Sequence, residues 1–80
     1  MIEILFFGRL ADAMQARRLS YAGDAKTLYG LRDEVFAAAL TGGHLNAGDI
    51  RMSVNQAQVS DDRSLTAGDE VAFFPVFSGG

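Results

Sequence analysis

Hydrophobic and polar positions alternate from the first residues of the chain. Ile2, Ile4 and Phe6 take one side of a period-two pattern, and Glu3, Leu5 and Phe7 take the other. Apolar residues on both sides predict a well-buried strand over about residues 1–7, ended by Gly8. Residues 9–16 are rich in helix formers but too few for more than a turn or two. Leu19 and Tyr21 then alternate with Arg18 and Ser20, which predicts a second strand at about 17–22 and a hairpin with a long loop.

The period changes after the break at Gly23-Asp24-Ala25-Lys26. Thr27 has the side chain of a helix N-cap. Leu28, Leu31, Val35 and Ala38 follow at helical spacing, with Arg32, Asp33 and Glu34 off the stripe. One helix is predicted over about 28–40, weakened at Gly30 by up to ~1 kcal/mol relative to alanine and stopped by Thr41-Gly42-Gly43. Residues 42–49 read as loop. Ile50, Met52 and Val54 alternate with Arg51 and Ser53 as a third strand, and Asn55-Gln56-Ala57 turns the chain into a short strand around Val59. Leu65 is a lone apolar anchor beyond Asp61-Asp62-Arg63, and Ala67-Gly68-Asp69 is a turn. In the last strand, Glu70 to Phe74, Val71 and Phe73 face one way and Ala72 and Phe74 the other. Pro75 has no N–H to donate, so central pairing should end there.

Strands before and after a single long helix predict an α+β fold, a mixed sheet packed on one main helix. The helix stripe should meet Ile2, Ile4, Phe6, Val54, Val71 and Phe73. Eighty residues make one domain, read as 1–74, with an extended tail over 75–80. There is no repeat, low-complexity tract or linker.

Composition removes several function classes. The chain is 49% hydrophobic and 21% charged, which is globular rather than disordered. It has no cysteine, hence no disulfide, thiolate nucleophile or cysteine metal ligand, and is compatible with a cytoplasmic protein. No apolar stretch approaches the ~20 residues of a membrane helix, and the N-terminus lacks a basic signal-peptide region. Net charge is −3 and Arg17-Arg18 is the only basic pair, so neither nucleic acid nor membrane is expected as a partner.

Catalytic chemistry is also hard to assemble. His44, the only histidine, sits among glycines and reads as a solvated loop residue. Neighbours on a strand point opposite ways, so Asp61-Asp62 reads as a polar turn rather than a carboxylate pair. No phosphate-binding loop of known spacing opens a helix. What remains is the end of the chain: Pro75-Val76-Phe77-Ser78-Gly79-Gly80 carries no charged side chain. Extended, these six residues reach about 20 Å at ~3.3 Å each. The paired glycines could thread a narrow channel and deliver one reactive group, the Gly80 carboxylate. Adenylation would activate that carboxylate toward a sulfur or nitrogen nucleophile. Two bland alternatives stand beside this reading. The glycines could be a frayed terminus, or Phe74, Val76 and Phe77 could fold back on Leu5 and Phe7 and complete the core.

Met1-Ile2-Glu3-Ile4-Leu5-Phe6-Phe7, Val54-Asn55-Gln56 with Val59, and Leu65-Thr66-Ala67-Gly68-Asp69-Glu70-Val71-Ala72-Phe73-Phe74-Pro75 with Gly79-Gly80 resemble the small, sulfur-carrying subunit of molybdopterin synthase. That is a ubiquitin-like β-grasp family. The likeness spans essentially the whole chain, and the closing motif is its specific part. It implies that an adenylating, E1-like enzyme uses ATP to activate Gly80 and that a sulfur donor protein converts it to a thiocarboxylate. The tail would then enter the large synthase subunit and give its sulfur to cyclic pyranopterin monophosphate, in an assembly of two copies of each subunit. This chain would be the non-catalytic, sulfur-donating subunit and bind no cofactor. By position, Gly80 bears the sulfur, Gly79 is its slender neighbour, and Phe74, Pro75, Val76, Phe77 and Ser78 make the approach to the partners. The family commonly has a second proline, then valine and threonine, where this chain has Val76-Phe77-Ser78. Sulfur carriers for thiamine share the fold and the Gly-Gly end but tend to be shorter and to lack the Phe-Phe-Pro approach. A ubiquitin-like modifier or plain binding module is the remaining alternative.

Overall fold

The computed structural model describes residues 1–76. Five strands form one mixed sheet: β1 (Ile2–Phe6), β2 (Arg18–Tyr21), β3 (Ile50–Val54), β4 (Ala57–Val59) and β5 (Glu70–Pro75). Their spatial order is β2-β1-β5-β3-β4. The first and last strands are thus the central pair, and they run parallel, while every other neighbour is antiparallel.

Alternation along the strands sorts the side chains. Ile2, Ile4, Phe6, Ile50, Met52, Val54, Val59, Val71 and Phe73 fill one sheet face, where they form a single buried cluster with Leu10, Leu28, Leu31 and Phe36. Three phenyl rings make its middle. Phe36 meets Phe6 and Phe73 edge-on at centroid separations of 5.8 and 5.1 Å, and Phe6 and Phe73 stack at 6.1 Å. Edge contacts of this kind contribute about 0.5–1.5 kcal/mol each beyond the area buried.

The helical part departs from the single helix expected over 28–40. It is two pieces, α2 (Leu28–Val35) and α3 (Ala37–Thr41), broken at Phe36, whose φ of −101° and ψ of 20° leave the helical region. The break has a packing cause: it delivers the Phe36 ring between Phe6 and Phe73, leaving Val35 half-buried and Ala38 exposed. Thr27 caps α2 as expected, its Oγ1 accepting the Gly30 N–H at 3.1 Å. Asp62 supplies a second cap from across the fold, with Oδ1 accepting the Tyr29 N–H at 2.8 Å. The segment after β1 is a genuine helix, α1 (Gly8–Met14), anchored by Leu10. Gly8 therefore opens an element as well as closing one.

The β3–β4 turn uses Asn55 and Gln56, both at positive φ (51° and 72°), as a two-residue hairpin turn requires. Asn55 Oδ1 accepts the Glu70 N–H and its Nδ2 donates to Asp69, each at 3.0 Å. The Thr66 N–H and the Asn55 amide together hold the Asp69 carboxyl below its usual range. No helix among the described residues is long and apolar enough to cross a membrane.

Candidate functional site

One residue along from each core position lies the opposite face of the sheet. Register sets Leu5 beside Ala72, Ala72 beside Ser53, and Phe74 beside Arg51. Leu5, Phe7, Ala72 and Phe74 thus form an apolar strip on the two central strands, toward their C-terminal ends. Among the described residues no helix covers it: Phe7 is 50% exposed, and Leu5 and Phe74 are half-buried. This corrects the expectation of a first strand buried on both faces. An open groove of about 670 Å³ adjoins the strip, lined by Leu5, Phe7, Gly8, Ala11, Arg17 and Arg18 among others.

Polar groups frame the strip. Glu3 accepts from Ser20 Oγ at 2.6 Å and from Arg18 Nε at 3.0 Å. The hydroxyl first, and then the guanidinium, hold the Glu3 carboxyl below its ordinary value. Arg51 stands beside Phe74 and is exposed. An aromatic strip with a charged border is the surface chemistry of a protein–protein contact.

The chain leaves the sheet at this same end. Pro75 is the last residue of β5, buried and in register with Ile50. Pairing does not stop there on both sides, as the sequence led one to expect. Toward β1 the last link is the Phe7 N–H to the Phe73 carbonyl at 3.0 Å. Toward β3 the ladder runs on, with the Val76 N–H donating to the Asp49 carbonyl at 3.4 Å. Antiparallel registers alternate between hydrogen-bonded and non-bonded pairs. Asn55–Glu70 and Asp49–Val76 fall on bonded positions, so Ile50–Pro75 is non-bonded. The missing N–H of Pro75 therefore faces β1, where the ring meets Gly8. A Cβ on Gly8, whose φ is +57°, would sit 3.1 Å from Pro75 Cγ.

Of the residues singled out from sequence, the structure gathers Phe74, Pro75 and Val76 at the root of the tail. Phe77, Ser78, Gly79 and Gly80 lie outside the described residues. The sequence marks Gly8 only as the end of the first strand and Asp49 only as loop, and only a register could show that they flank the exit. His44 is exposed, and the described residues contain no group of three or more His, Cys, Asp or Glu side chains able to hold a metal ion.

Sheet order, covering helix and C-terminal exit from the central strand define a ubiquitin-like β-grasp protein. Residues 4–80 match the ThiS family, and the chain belongs to that family. The molybdopterin synthase sulfur carrier subunit of Escherichia coli (strain K12) is 40% identical over 84 residues, covering 100% of both proteins. Among solved structures, SAMP1 from Haloferax volcanii superposes with a TM-score of 0.69 at 28% identity, over 99% of this chain and 98% of that one. A chain of the complex of subunits 1 and 2 of molybdopterin-converting factor from Helicobacter pylori 26695 shares the fold, with a TM-score of 0.62 at 21% identity over 99% and 97% of the two chains.

Proposed function

We propose that this chain is the sulfur carrier of a molybdopterin synthase. The observation that carries the reading is 40% identity, along the whole chain, to a protein of that function. The fold supports it by putting an uncovered apolar strip and the exit of a Gly-Gly tail at one end of the same two strands. Gly80 is the reacting residue. Its carboxylate attacks the α-phosphate of ATP on an E1-like partner, releasing pyrophosphate and leaving an acyl-adenylate. Sulfur at the sulfide level, delivered by a donor protein, attacks the acyl carbon, displaces AMP and leaves a thiocarboxylate. The strip at Leu5, Phe7 and Phe74 docks on the large synthase subunit, and Val76 to Gly79 carry the sulfur into its cleft. There the sulfur passes to cyclic pyranopterin monophosphate, and a water-derived oxygen returns Gly80 to the carboxylate. Catalytic side chains come from the large subunit, in an assembly with two copies of each, in the cytoplasm.

Mass spectrometry after incubation with activating enzyme, ATP and sulfur donor tests the reading. The expected result is one oxygen-to-sulfur exchange located at Gly80. Deletion of Gly79-Gly80 should abolish sulfur transfer while leaving the melting temperature unchanged. Full activity of the truncated chain would sink the proposal. The likeness to SAMP1, a small archaeal modifier protein, favours a second reading as a protein modifier. That reading requires higher-mass isopeptide conjugates in cells, which a dedicated sulfur carrier does not form.

A further inference from the structure

The root of the tail is gripped from two sides. On the β1 side, the Pro75 ring packs against the backbone of Gly8, where no Cβ would fit without displacement. On the β3 side, the carbonyl that receives the Val76 N–H belongs to Asp49, the last residue of a short 3₁₀ turn at Ala47–Asp49. That turn is tied closed by its own ends. The Asp49 N–H donates to the Asn46 carbonyl at 2.9 Å, and Asp49 Oδ2 accepts both the Asn46 N–H at 3.3 Å and Asn46 Nδ2 at 3.4 Å. The bond to Val76 is long, so its occupancy depends on how firmly the turn holds the acceptor.

Val76 is the last of the described residues with a backbone bond to the sheet. Drawn out to full length in a partner's cleft, the four residues that follow it in the sequence would span about 13 Å at ~3.3 Å per residue. A swing of about 10° at the root moves the tip by ~2 Å, and a misplacement of ~1 Å at a reacting atom can cost ~100-fold in rate. We propose that Asn46 and Asp49 are positioning residues for sulfur transfer: they hold the carbonyl that sets the direction in which the tail leaves the sheet. They do so through the Val76 N–H, a donor that a proline at this position would remove, fixing φ with its ring instead.

The inference rests on the sulfur-carrier reading, and the experiment separates the two. Preformed thiocarboxylates of wild type, Asp49→Ala, Val76→Pro and the double variant are each mixed with the large subunit and pyranopterin substrate in single turnover. Dissociation constants for the large subunit are measured in parallel, and Val76 amide exchange is followed in free wild type and Asp49→Ala. Asp49→Ala should slow transfer by about threefold to tenfold while binding changes by less than about twofold, because the docking strip is intact. Its Val76 amide should exchange about two- to tenfold faster, the equilibrium worth of one net hydrogen bond. Val76→Pro removes the donor itself, so on that background Asp49→Ala should change the transfer rate by less than about twofold. If Asp49→Ala folds poorly, Asn46→Ala serves, since it keeps the Asn46 N–H bond to the carboxylate. An unchanged rate, an unchanged Val76 exchange or an undiminished further loss from Asp49→Ala on the Val76→Pro background would each overturn the proposal. Wild type that transfers no sulfur would instead overturn the carrier reading and this role with it, while the exchange data would still report whether the turn holds the root.

Discussion

On one face of the central strands, Ile4, Phe6, Val71 and Phe73 are at most 3% exposed beneath the helices. On the other face, one residue further along the same strands, Leu5, Phe7 and Phe74 remain half-buried or exposed. The two sets are equally apolar. What separates them is that this chain has helices enough to cover only one face. A domain of 80 residues that leaves aromatic side chains uncovered beside the root of its tail offers a surface of the kind that the proposed docking on another protein requires.

The sharpest way to break this contrast is to shorten neighbouring phenylalanines. Phe73→Ala removes a ring packed against both Phe6 and Phe36, and should cost about 3–5 kcal/mol of unfolding free energy in a denaturant titration. Phe74→Ala, on the half-buried face, should cost about 1 kcal/mol or less. The same variant should weaken binding to the large synthase subunit by about 2 kcal/mol, roughly 30-fold by calorimetry. Comparable destabilisation by the two variants would mean that both faces are core.

Phe7→Asp sharpens the contrast from the other strand. Phe7 is half in solvent, so the charge is hydrated in the free protein and stability should shift by no more than about 1 kcal/mol. In the complex the carboxylate would be desolvated against an apolar partner, and affinity should fall by at least about tenfold. Gly8→Ala probes the junction of the two faces. It strains a backbone at φ +57° and pushes a methyl to 3.1 Å from Pro75 Cγ, so about 1–2 kcal/mol of stability should be lost in thermal melts.

Much of this was legible in the chain itself. Period-two patterning located β1, β3 and β5, Thr27 marked the start of α2, and Gly42 marked the end of α3. The Leu5–Phe7 side of β1 was read as buried because periodicity reports only that a side is apolar, not whether a layer exists to cover it. Phe36 was passed over because it lies off the Leu28–Leu31–Val35 stripe, and only a break in the helix brings it inward. Asp62 as a cap for α2 and Asp49 as an anchor for Val76 depend on segments 33 and 27 residues away, and no local pattern encodes such pairs. The terminal Gly79-Gly80 was legible for the opposite reason, since its meaning is chemical and needs no partner within the fold.

The smallest expected effect concerns the polar end of the open face. The Ser20 hydroxyl and the Arg18 guanidinium favour ionised Glu3 in the folded protein, so its folded pKa lies below the unfolded value of about 4.3. A depressed carboxyl contributes stability that is present above the unfolded pKa and is lost as pH falls through the folded one. Both partners are solvent-exposed, so the contribution is small and salt-sensitive. Urea titrations of wild type and Glu3→Gln at pH 7 and at pH 3 isolate it. Asp69, also held below its usual range, is common to both proteins and cancels in the difference. The wild-type advantage should shrink toward pH 3 and with added salt at pH 7. A difference that ignores both would show that Glu3 acts on the sheet through packing of its stem, and the polar border of the open face would then be passive.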